Sequence, residues 1–111
     1  SFMDRVFYSA KSAFVHKPAA VISSSRRAGS VTSMDVLNKH LSISEMPIVT
    51  SNYWNEVHGH TPSDVEQDRE GLDTMYALGK NMAWMLKCIE AGKKAGIEVP
   101  QNKKRTTNFI R

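Results

Sequence analysis

Two short apolar runs, Ala19-Ala20-Val21-Ile22 and Pro47-Ile48-Val49, carry no polar alternation. A strand with one wet face alternates; a strand covered on both faces does not. The spacing therefore predicts two strands, over 19–23 and 47–51, each buried on both faces, as in a parallel sheet. Parallel strands need a crossover of a dozen or more residues. The segment between them supplies one: Met34, Leu37 and Leu41 make a helical stripe, with Val36 alongside and Thr32 or Ser33 as a cap. A stripe of Phe2, Val6 and Ala10, beside Met3 and Phe7, predicts an opening helix over 1–13, which His16-Lys17-Pro18 ends. After the second run, Thr61, Ser63 or Asp64 can start a helix. From Leu72 the pattern of Leu72, Met75, Gly79, Met82, Leu86 and Ile89 falls on one face. Gly79 in that stripe predicts close approach to a neighbour. Gly92 or Gly96 stops the helix, and Pro100 forbids its continuation. The order is helix, strand, loop, helix, strand, loop, helix. That is α/β, with a parallel sheet and helices on both of its faces.

At 111 residues the chain makes one small domain, and 41% hydrophobic with 23% charged residues is compatible with a packed core. No apolar run is long enough to span a bilayer. The opening Ser1-Phe2-Met3-Asp4-Arg5 has no apolar core of a secretory signal. Cys88 is the only cysteine, which excludes an internal disulfide framework and points to a reducing, cytoplasmic setting. Its place beside the apolar helical face predicts a half-buried thiol. The net charge of +4 is unevenly placed, with Lys93, Lys94, Lys103, Lys104, Arg105 and Arg111 near the end. A basic tail of this kind reads as solvated, so neither nucleic acid nor a membrane is expected as a partner.

In a sheet of this kind, ligands bind beyond the carboxyl ends of the strands. Two segments are placed there by the sequence. The first, over 23–30, holds small residues and two arginines: Ser24, Ser25, Arg26, Arg27, Ala28 and Gly29. Small residues let backbone N–H groups come close to a flat ligand. An arginine favours a ligand that gains negative charge on reduction, as a flavin does at its pyrimidine edge. The same loop also reads as a surface turn with two solvated arginines. The second segment offers Tyr53 and Trp54 as stacking surfaces and Asn52 and Asn55 as polar anchors. Aromatics at a strand exit equally serve as core or as a subunit contact. His58 and His60 flank Gly59, but no third ligand is evident, so no metal is expected. No Gly-x-Ser-x-Gly elbow, Gly-x-Gly-x-x-Gly or phosphate-binding P-loop occurs, and no residue is singled out as catalytic. The methionines at 75, 82 and 85 read as core.

Taken together, Lys17-Pro18-Ala19-Ala20-Val21, Ser25-Arg26-Arg27-Ala28-Gly29, Asp35-Val36-Leu37-Asn38-Lys39, Met46-Pro47-Ile48-Val49, Tyr53-Trp54-Asn55-Glu56-Val57-His58-Gly59 and Gly79-Lys80-Asn81-Met82-Ala83-Trp84 form a series. With Ser1-Phe2-Met3-Asp4-Arg5 ahead of it, this series resembles the NADPH-dependent FMN reductase group of the flavodoxin-like superfamily. Relatives of that group include the multimeric, tryptophan-repressor-binding-protein-like flavodoxins and the iron–sulfur flavoproteins. The resemblance runs over essentially all 111 residues. It implies a flavodoxin-like three-layer sandwich with a five-stranded parallel sheet and FMN at the strand ends. NAD(P)H reduces the FMN, and electrons then pass to a quinone, another acceptor or a partner protein. It implies a dimer or tetramer, with the segment from Ser25 to Gly29 beside the isoalloxazine ring. The cofactor-binding residues so implied are Ser24, Ser25, Arg26, Arg27, Ala28, Gly29, Asn52, Tyr53 and Trp54.

The chain departs from that pattern. The first strand, its FMN-phosphate loop, the middle strand and the Gly-Ser-Pro-x-Tyr-type loop of the group have no counterpart here. Two strands of five cannot cover such a sheet. Residues 1–111 are therefore expected to be the C-terminal portion of one flavodoxin-like domain, with two strands and three helices, completed by a missing N-terminal portion. Two alternatives share this pattern: an electron carrier of the same fold without enzymatic turnover, and an interaction module, without flavin, that packs Trp54 and Trp84 against a partner.

Overall fold

The computed structural model describes residue 5, residues 13–26 and 30–103, and residues 105 and 107. Most of the expected opening helix, and Arg27, Ala28 and Gly29 of the first candidate segment, lie outside the described residues.

The described chain runs β1 (Ser23–Ser25), α1 (Ser30–Ile43), β2 (Glu56–His58), α2 (Pro62–Gln67) and α3 (Arg69–Lys94). β1 and β2 form a two-stranded parallel sheet in which Ser23, Ser24 and Ser25 face Glu56, Val57 and His58. An isolated parallel bridge pairs Ala19 with Ile48 upstream. The result is a small α/β unit with a parallel sheet and helical crossovers, compatible with part of a larger sheet of that class.

The strands sit later in the chain than the apolar runs. Residues 19–22 and 47–51 contribute one bridge, while the ladder proper is made by Ser23, the end of the first expected strand, with Ser24 and Ser25, and by Glu-Val-His, the last five read from sequence as loop. The apolar runs are also not covered on both faces. Val21 and Val49 are buried, the latter to 2% exposure, but Ile22 is 60% exposed. Burial alternates along β1, where Ser24 is exposed between half-buried neighbours, whereas all three residues of β2 are half-buried.

Between the two points of register the strands do not keep step. Four residues separate Ala19 from Ser23, whereas eight separate Ile48 from Glu56. The surplus leaves the ladder as an excursion over 50–54. The ladder bonds resume around it: the Ala19 and Val49 N–H groups donate to the Pro47 and Ala19 carbonyls, and the Ser23 and Gly59 N–H groups donate to the Asn55 and Ser25 carbonyls. The aromatic segment is thus a mid-strand excursion rather than a strand exit.

α1 places Met34 and Leu41 in a cluster with Val21, against which Phe14, Ala19, Leu37 and Met46 pack. Val36, on the other side, is exposed. α1 begins at Ser30, ahead of the expected caps. α2 starts on Thr61 through a capping box with Asp64 and Pro62 in its first turn. Asp68 then breaks the helix and caps α3, its carboxylate accepting from the Gly71 N–H at 3.0 Å. α3 packs on β2 and buries Gly71, Thr74 and Leu78. It ends in a Schellman turn: Gly96 takes φ +87°, its N–H reaches the Lys93 carbonyl, and Ile97 N–H reaches that of Gly92. Two expectations for α3 fail. A Cβ at Gly79 meets nothing within 4 Å among the described residues, so none of them approaches there, and Cys88 is exposed. No helix among the described residues is long and apolar enough to cross a membrane.

Candidate functional site

Asn55 is the residue that makes the excursion possible. At 6% exposure it is buried, and its Nδ2 donates to the Val21 carbonyl at 3.1 Å. That carbonyl lies where the second strand has left the ladder, so a side-chain amide serves in place of a backbone donor. The Ser51 hydroxyl donates to Asn55 Oδ1 at 2.6 Å, which fixes the orientation of the amide. Asn55 was expected as a ligand anchor; its hydrogen bonds are taken up by the fold. From the other side, Asn81 on α3 donates to the Thr50 carbonyl at 2.7 Å and holds the root of the excursion.

The tip of the excursion carries Asn52, Tyr53 and Trp54, all exposed. The two rings stand 6.1 Å apart at 44°, with about half of each open to solvent. They form the rim of a cavity of about 320 Å³ whose wall includes Met34, Asn38, Val49 and Ser51. Asn38 Oδ1 is buried there without a hydrogen-bond partner. A buried acceptor without a donor is costly, by about 1–3 kcal/mol, and this one is closed to solvent. The cavity joins apolar and aromatic surface to the polar residues Asn38, Ser51 and Asn55, the usual make-up of a small-molecule site.

Tyr53 also borders a second hollow, of about 190 Å³, with Glu56, His58, Asp68, Glu70 and Gly71. Hydrogen bonds from the His58 backbone N–H, at 2.7 Å, and from the Gly71 N–H hold the Asp68 carboxyl below its ordinary value of 3.8, against the opposing pull of burial. The His58 imidazole meets Ser25 Oγ at 3.2 Å through Nδ1 and Glu56 Oε1 at 3.4 Å through Nε2.

Of the residues singled out by sequence, Ser25 lies half-buried against His58, Ser24 is exposed on the opposite side of β1, and Arg26 is exposed just past the strand. Asn52, Tyr53 and Trp54 lie together on the excursion. The two groups are linked through Tyr53, which adjoins Glu56 and His58 as well as the larger cavity. Asn38 and Glu56 are not singled out by sequence, and His58 is weighed there only as half of a His-x-His metal pair. A signal existed for two of them: Glu56 and His58 stand two apart on a strand, and so share a face. No family model, curated protein or solved structure matches the chain.

Proposed function

We propose that this chain is part of an FMN-dependent NAD(P)H oxidoreductase of the FMN or quinone reductase type. The observation that carries this reading is the cavity beside the parallel strands, with its aromatic rim. A flat ring system fits that rim. Tyr53 and Trp54 supply faces for it, and Arg26 brings a cation to the carboxyl end of β1. FMN, when bound, would take a hydride from the nicotinamide and pass the electrons to an acceptor such as a quinone. The protein's part is to hold the ring, exclude water from it and favour its reduced, anionic form.

A sheet of two strands has two open edges, and apolar side chains such as Ile22 stand exposed beside it. The same reading therefore has the rest of the domain supply the remaining strands and the FMN-phosphate loop, with the whole assembled as a homodimer or homotetramer. The test uses that complete protein: flavin absorbance after purification with FMN, then steady-state oxidation of NADPH with a quinone. Turnover supports the reductase. Redox change without turnover identifies a carrier, and absence of flavin absorbance overturns the flavin reading in favour of an interaction module.

A further inference from the structure

At the amino end of the sheet lies a hollow of about 550 Å³. It shares no lining residue with the cavity beside Tyr53. Four segments wall it: residues 15–18 ahead of the Ala19 bridge, Glu45 ahead of Ile48, the C-terminal half of α3, and the tail over 99–102. The tail is pinned there. After the turn at Gly96, His16 Nε2 donates to the Pro100 carbonyl at 2.9 Å, and since a carbonyl only accepts, Nε2 carries the proton. The His16 backbone N–H in turn donates to the Glu45 carbonyl at 2.9 Å. His16 and Glu45 are the two non-glycine residues of positive φ among those described, at 65° and 55°. Each such conformation costs about 1–3 kcal/mol and persists where surrounding contacts enforce it, notably around ligand clamps. Here both stand in the wall of one hollow.

The lining has a definite chemistry. Leu86, Ile89 and Lys93 follow one another at helical spacing on α3, and Val99 faces the hollow from the tail. Leu86 and Val99 are about half exposed, so apolar surface stands open to water. No Phe, Tyr or Trp is in the lining, which gives a ring no face to stack on, in contrast to the cavity beside Tyr53. Lys17 and Lys93 come from two different segments, and both are exposed. Neither makes an ion pair among the described residues. Glu45 is the one carboxylate in the lining, with Oε2 3.9 Å from His16 Nε2. Two lysines against one glutamate leave the lining with a net charge of +1 when His16 is neutral. Apolar surface without rings, edged by cations, is complementary to an aliphatic chain that ends in an anion.

We propose that this hollow binds a medium-chain aliphatic carboxylate, with the chain along Leu86, Ile89 and Val99 and the carboxylate at Lys17 and Lys93. Its volume falls within the range of about 300–1,000 Å³ usual for small-molecule sites. His16 contributes by holding the tail as the fourth wall. The site stands apart from the ring cavity and does not depend on the oxidoreductase reading.

Isothermal titration of the complete protein with sodium decanoate tests this, with decyltrimethylammonium as the probe of opposite charge. One equivalent of decanoate binds, about tenfold more tightly than the ammonium. Octanoate binds about fifteenfold more weakly than decanoate, since each methylene taken out of water is worth about fourfold. Lys17→Gln combined with Lys93→Gln abolishes the preference for the anion, and Leu86→Asn weakens both probes alike. All three positions are exposed, so the variants keep the fold, which circular dichroism checks. In ¹⁵N spectra, decanoate shifts the backbone amides of Val15, Leu86 and Lys93. Heat that does not saturate at one equivalent, equal affinity for the two probes, or a preference that survives the double lysine change overturns the proposal. A concentration-dependent dimer in sedimentation that Leu86→Asn breaks up gives the hollow to a second copy of the chain, and overturns it as well.

Discussion

Asn55 does the work of a peptide group, and its removal shows what that is worth. In Asn55→Ala the buried Val21 carbonyl loses its donor, while the Ser51 hydroxyl keeps the Tyr53 carbonyl as an acceptor. The expected cost is about 1–3 kcal/mol for the stranded carbonyl, read as a lower midpoint of urea unfolding at unchanged slope. Asp68 makes a second case at this scale. Its carboxyl titrates below 3.8 in the folded chain, so in acid the unfolded state binds the proton first. Its contribution is complete above that value and is lost as the pH falls through the lower folded value. Asp68→Asn keeps a good cap but removes the charge. The variant should therefore show a flatter fall of unfolding free energy below about pH 5, followed by circular dichroism at a series of pH values.

At the scale of elements, two glycines of α3 carry opposite predictions. Gly79 stands in mid-helix with open space where a Cβ would go. Gly79→Ala should stabilise by about 0.5–1 kcal/mol, since alanine has less backbone freedom to lose. Gly71 is buried in the first turn, where a Cβ would run into the Asp68 carboxylate and come within 2.9 Å of Val57 Cγ1. Gly71→Ala should destabilise by about 1–3 kcal/mol through overpacking. Thermal midpoints of the two variants, measured together, must move in opposite directions. The same helix shows how far sequence carries. Its glycine stop is written in residue types and is found at Gly96, one of the two expected places, whereas its buried face is Gly71, Thr74 and Leu78, one position off the expected stripe, and its cap is Asp68, because Thr61 starts a separate short helix. The strands were legible only in kind. Val21 and Ile22 announced a strand because apolar residues report burial, yet the hydrogen-bonded ladder is made by Ser23, Ser24 and Ser25, whose side chains say nothing of pairing. Glu56-Val57-His58 alternates as a half-exposed strand should, but Gly59, Thr61 and Pro62 close behind it made the whole stretch read as loop. The cavity was half legible. Tyr53 and Trp54 stand out in any sequence, whereas Asn38 is placed by the pitch of α1 and has no local mark.

As a whole, the molecule is more open than its length requires. Its radius of gyration is 17.2 Å, against about 13 Å for a close-packed domain of about 100 residues. Apolar side chains such as Trp84 and Ile97 stand in solvent. On the proposed reading, the described residues supply surfaces for the flavin ring and no phosphate cradle, and ordering the exposed excursion opposes binding. The 111-residue chain alone should therefore bind FMN more weakly than a micromolar dissociation constant, which corresponds to about 8 kcal/mol. Isothermal titration into monodisperse protein checks this. Tighter binding would mean that the cavity suffices without further strands.

The excursion over 50–54 has a consequence for how such a protein can diversify. A strand that leaves its ladder and rejoins it in step separates two demands that usually conflict. The sheet is answerable to Ala19, Ile48, Asn55 and β2, while the rim of the cavity is answerable only to the few residues between. Lengthening that segment costs little, about 0.6 kcal/mol for each doubling of a flexible loop. Residues 52–54 are in that sense an exchangeable mouthpiece. Their number and chemistry can drift, and the choice of guest with them, while the instrument behind keeps its tuning.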